Sequence, residues 1–176
     1  MFPKEYIEFL VHFHGDRDYF ECHEILEEYW KTSTPQDKSS IWVGFILLSV
    51  SLYHHRRQNF SGALRTIEKA IHIFLTKADQ LERLGINQEQ FLSLIRSRRE
   101  EIEAGQCYQS MNLPIIDQNL TNQCFSLCQE KGIIWGTQSD LANEALIHRH
   151  SQRDRTSVIL ERNFALEKRK KNRSDS

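Results

Sequence analysis

IWVGFILLSVSLY, residues 41–53, is the longest apolar run in the chain, and its reading decides the fold. Thirteen residues fall short of the roughly 18 or more that a bilayer-spanning helix needs, so this run is expected inside a protein rather than a membrane. It is apolar on nearly every side of a helical wheel. A helix of that kind, from about Ser40 to Arg57, must sit at the centre with neighbours all round it.

The segments on either side supply those neighbours. Upstream, a first helix should follow Pro3 and end near His14, with Gly15 closing it and Asp16 or Asp18 capping the next. The second helix carries YFECHEILEEYWK and must stop before Thr34–Pro35, because the residue preceding a proline resists the α region. Downstream, Asn59 opens a fourth helix whose stripe of Ala63, Leu64, Ile67, Ala70, Ile71, Phe74, Leu75, Ala78 and Leu81 runs on to Gly85. A fifth begins at Asn87 with an Asn-x-x-Gln capping pattern and closes at Gly105. CYQSMNLPIID reads as an extended connection, followed by a helix over 117–131 with Leu120, Cys124, Leu127 and Cys128 inward. Three prolines and seven glycines leave little material for a turn-rich β fold. The expected class is all-α: a helical bundle around a hydrophobic central helix, with an exposed basic C-terminal helix or tail. Residues 1–105 form the bundle core, 106–147 an additional helix and connections packed on it, and 148–176 the tail.

Composition narrows the setting. A 39% hydrophobic and 27% charged content is that of an ordinary globular chain. The opening MFPKEYIEFLVHFHGDRD has no basic, apolar and small-residue succession of an export signal, and no C-x-x-C pair occurs among the four cysteines. Reduced thiols and a cytoplasmic location are therefore expected, without membrane insertion. Charge is uneven: residues 148–176 hold nine Lys/Arg against four Asp/Glu, net +5, while residues 1–147 hold fourteen against twenty, net −6, which together give the chain's −1. Such a tail, with Arg149, Arg153 and Arg155 at its start, can hold a polyanion or an acidic protein partner through charge alone. No nucleic-acid fold signature accompanies it.

Chemistry concentrates in the second helix. On a wheel of about 100° per residue, His23 and Glu27 fall inside the apolar arc of Phe20 and Trp30, with Glu24 at its edge. Four residues apart, His23 and Glu27 stack on one face. A carboxylate placed there needs a cation, a donor or a metal. If the second and third helices run antiparallel, His54, His55, Arg56 and Arg57 arrive at the same end, as do His12 and His14 through the Gly15 turn. Three readings follow: a structural pair, a metal site for zinc, manganese, iron or nickel using His23, Glu27, Glu24 and His54, or a metal-free acid–base or small-ligand site. HEILE is not the zinc-peptidase H-E-x-x-H pattern, since Glu27 stands where the second histidine would be. His148 and His150 beside Asp154 form a weaker second candidate.

His23, Glu27 and Trp30 spell H-x-x-x-E-x-x-W. Together with Leu52, Tyr53, His54, Arg57, Asn59, Gly62 and Ala63 downstream, this pattern resembles the domain of unknown function family 309 over roughly residues 8 to 75. The resemblance implies a bacterial all-helical bundle whose motif has been suggested to bind metal, with no activity assigned. Two departures stand out: VGFILL replaces a glutamine-bearing run of the LQGLIQ type, and Gln58 stands where Arg-Gly-Asn is frequent. Two function classes remain, a metal- or ligand-binding helical domain and a non-catalytic interaction protein whose His/Glu pair is structural.

Overall fold

The computed structural model describes residues 1–149, and these form a bundle of eight helices. They are α1 (Lys4–His14), α2 (Tyr19–Ser33), α3 (Ile41–Arg56), α4 (Phe60–Thr76), α5 (Ala78–Arg83), α6 (Gln88–Glu103), α7 (Gln118–Lys131) and α8 (Glu144–Ile147). The apolar run is α3. It packs against α2 on one side and α4 on the other, while α1 lies on α2, α6 on α4 and α7 on α1. Among the described residues no helix is long and apolar enough to cross a membrane.

Local chemistry sets the boundaries. Asp18, Asn59, Asn87 and Asp117 each accept a hydrogen bond from the backbone N–H three residues on, which satisfies a donor that the first turn leaves open. In α3, Trp42, Phe45, Leu48 and Leu52 are buried, as are Leu26 of α2 and Phe74 of α4. Gly44 marks the closest approach: a Cβ there would meet the Phe74 ring at 2.9 Å, so the missing side chain lets α4 lie against α3. Ser49 and Ser51, buried on the same helix, donate to the Phe45 and Ala63 carbonyls.

The fourth helix departs from its expected course. Instead of running to Leu81 it breaks at Lys77, where φ is −121° and ψ 24°. Beyond the break Leu81 is fully buried, while Leu75, ahead of it in α4, is exposed. Leu64 and Ile71 are only partly buried, against a small second cluster of Ala63, Ile67 and Ile102.

Residues 106–117 do cross the body in extended form. Tyr108, Met111 and Leu113 join the main core, and a single antiparallel bridge pairs Ile86 with Ile115. The sequence beyond Arg149, with Arg153, Arg155, His150, Asp154 and the expected tail helix, lies outside the described residues.

Candidate functional site

Helices α2 and α3 are antiparallel. Tyr29 meets Trp42 edge-on at 5.1 Å at one end, while at the other Tyr19, Phe20 and His23 share a cleft with Val50, Tyr53, His54 and Arg57. The connection between them is short and tied by Trp30, whose indole N–H donates to the Asp37 carbonyl. This arrangement places the polar residues of α2 on the rim of the bundle.

His23, Glu24 and Glu27 come together there. His23 Nδ1 lies 3.1 Å from Glu24 Oε1 and its Nε2 3.3 Å from Glu27 Oε2. One ligating atom from each can be chosen so that all lie within 4.8 Å of one another. Two donors about 2.1 Å from an ion stand at most roughly 4.2 Å apart, so small rotamer shifts would close the set around it. Lys31 holds the other Glu27 oxygen at 2.8 Å. The three side chains are 25%, 35% and 33% exposed, so His23 and Glu27 are less buried than their place within the apolar arc suggests. Phe20 and Trp30 are themselves only partly covered, because that arc is the edge of the α2–α3 contact and not its middle.

The other histidines go elsewhere. His12 faces Asp16 at 3.0 Å. His14 stacks flat on Trp135 at 4.4 Å, and burial lowers its pKa to about 3. His55 turns away to the Gln106 carbonyl at 2.8 Å. His54 stays on the cleft wall, with Nδ1 3.1 Å from the Asn59 amide nitrogen. Hence α1 and α3 bring only His54 near His23. The reason is angular: His55 follows His54 by about 100° on α3 and so faces the opposite neighbour.

Sequence reasoning missed Arg17, which carries more of the local architecture than any histidine. Fully buried, it sits at φ 59° in the turn between α1 and α2. Its guanidinium donates to the Phe13, Met111 and Thr137 carbonyls and to Asn112 Oδ1. Arg56, also buried, donates to the Arg17 carbonyl and Ser139 Oγ and lies over the Tyr19 ring. Tyr19 in turn shares a 2.5 Å hydrogen bond with Tyr108. A lone arginine beside Gly15 gives no periodic signal of burial. Three of its four acceptors, at Met111, Asn112 and Thr137, lie 94 to 120 residues away.

Arg149, named from sequence as a tail contact, pairs with Asp18 and Glu21 and sits over the Phe20 ring. Of the cysteines, Cys22, Cys124 and Cys128 are buried, Cys107 is exposed, and all four are free. Burial pushes the Cys124 thiol up to about 12, as expected of a thiol in the core.

Comparison with known proteins places the same region in a family. The model described as "Domain of unknown function (DUF309)" matches residues 6–66, a span holding His23, Glu24, Glu27, His54 and Arg57. Over 173 residues the chain is 49% identical to a Bacillus subtilis (strain 168) protein described as "Uncharacterized protein YpuF", covering 98% of this chain and 99% of that one. No solved structure matches.

Proposed function

The chain belongs to the DUF309 family, whose description assigns no function, and from the geometry of α2 we propose that it binds one divalent transition-metal ion through His23, Glu24 and Glu27. The observation that carries this reading is the placement of both imidazole nitrogens against carboxylates. An imidazolium would donate to each; a metal ion takes the place of one of those protons and gives the carboxylates a stronger cation. One nitrogen and two oxygen donors suit zinc, manganese, iron or nickel. Three protein ligands leave positions open for water or a ligand, the pattern of reactive rather than structural sites. When bound, the ion would act as a Lewis acid or activate a water. Glu27 would exchange its Lys31 partner for the ion, and Glu24 would turn from the ring of His23 to bind beside it. Four free cysteines fit a reducing, cytoplasmic setting.

The rival reading is an interaction protein in which His23, Glu24, Glu27 and Lys31 are a surface ion-pair network. Lys31 favours it, since it already partners Glu27. In that reading a polyanion or protein would be held through Arg153 and Arg155, because Arg149 is engaged by Asp18 and Glu21.

Elemental analysis of protein purified without an affinity tag separates the two. The metal reading expects a near-stoichiometric transition ion that is lost in His23→Ala, and binding at least about tenfold weaker in Glu27→Gln with folding intact. Metal-free protein that cannot be loaded with zinc, manganese, iron or nickel leaves the ion-pair network as the role of these residues.

A further inference from the structure

The cleft between α2 and α3 has a volume of about 230 Å³ and is lined by Tyr19, Phe20, Val50 and Tyr53 together with His23, His54 and Arg57. Drug-sized pockets run from about 300 to 1,000 Å³, so this one has room for a single ring or a short branched chain. What marks it is Arg57. Its guanidinium lies over the Tyr53 ring at 5.2 Å and reaches the Tyr53 hydroxyl only at 3.4 Å. Its Nε is enclosed and donates to no group among the described residues. Among the described residues no carboxylate comes within ion-pair distance of it, in contrast to Arg98, Arg99 and Arg149.

The neighbouring guanidiniums make no carboxylate bond among the described residues either. Arg56 and Arg17, both buried close by, spend their donors on neutral carbonyls, a hydroxyl and an amide oxygen. Three guanidiniums at this end of the bundle thus have no bonded carboxylate among the described residues. A guanidinium that lines a cleft without a carboxylate partner is met best by an anion.

We propose that this cleft binds a small organic monocarboxylate, its carboxylate on Arg57 and its apolar body between Phe20, Val50 and Tyr53. The planar guanidinium fork matches a planar carboxylate. A phosphate, with three strong acceptor oxygens, would ask for more donors than these apolar walls provide. The proposal shares a residue with the metal site but does not rest on it: both ring nitrogens of His23 face Glu24 and Glu27, so only the side of the ring borders the cleft.

The test is an amide-resonance NMR titration of the full chain, in chelator, with acetate, isovalerate and benzoate, and with benzamide and inorganic phosphate alongside. At least one carboxylate should bind with a Kd below about 1 mM and shift the resonances of residues 50–57. Benzamide, which keeps the shape of benzoate without its charge, and the Arg57→Gln variant should each bind at least about tenfold more weakly. Glu24→Gln should leave the carboxylate titration unchanged while weakening zinc loading, so failure of one site is distinguishable from failure of the other. The proposal is overturned if no carboxylate binds, if benzamide matches benzoate in the unaltered protein, if Arg57→Gln binds as the parent does, or if phosphate displaces the carboxylate at equal concentration.

Discussion

At the scale of single residues, the histidines divide by what surrounds them, and His14 offers the sharpest consequence. Burial against Trp135 holds it neutral down to about pH 3, whereas in the unfolded chain it titrates near 6.5. Its folded pKa is depressed, so the unfolded state takes the proton first. The associated stability is complete above pH 6.5 and drains away as pH falls toward 3. The slope should approach 1.4 kcal/mol per pH unit once the unfolded histidine is protonated. His55, lowered by burial in the same direction, adds to the effect. Urea unfolding at pH 7.5 and pH 5 should show the loss, and His14→Phe, which can keep the stack on Trp135, should shrink it. Equal pH dependence in the parent and variant would mean that His14 is not buried neutral. His23 and Glu27 were legible in the sequence because an i, i+4 polar pair interrupts an apolar arc. Their half-exposure was not, since a wheel gives direction and says nothing of how far a neighbouring helix extends.

Among the helices, the caps were readable and the interruption in the fourth was not. Asp18, Asn59 and Asn87 stand where side-chain acceptors are needed, and each accepts. The break at Lys77 is imposed by Leu81 reaching the core, a tertiary demand with no local residue to announce it. The end of α3 closes without glycine. Gln58 N–H bonds the His55 carbonyl and Asn59 N–H the His54 carbonyl, the paired closure that usually requires glycine at the first position. Here Gln58 adopts φ 59°, while the ends of α5, α6 and α7 place Gly85, Gly105 and Gly132 in the same conformation. Gln58→Gly should therefore stabilise the protein by about 0.5–1 kcal/mol, the relief of the left-handed strain less the entropy that glycine gains when unfolded. A raised urea midpoint with unchanged denaturant dependence is the expected reading; a lowered midpoint would show that Gln58 makes a contribution its exposed side chain does not reveal.

For the molecule as a whole, charge and connectivity are the properties that matter. The central place of residues 41–53 followed from their hydrophobicity, and the all-helical class from helical stripes, caps and the scarcity of proline and glycine. With positive charge concentrated after residue 147, deletion of residues 150–176 should abolish retention on heparin while leaving the far-ultraviolet dichroism of the bundle in place. Undiminished retention would move polyanion binding onto the acidic body, where charge gives no support for it. Connectivity sets a further condition through Arg17. This residue leaves the ribosome among the first, yet three of its four acceptors, at Met111, Asn112 and Thr137, emerge only when most of the chain has been made. During synthesis the α1–α2 corner must wait with its guanidinium in water. The N-terminal half can assemble helices early, but its corner locks only when the last third of the bundle arrives, so a nascent chain stalled before residue 111 should remain open to proteases at Gly15–Asp18.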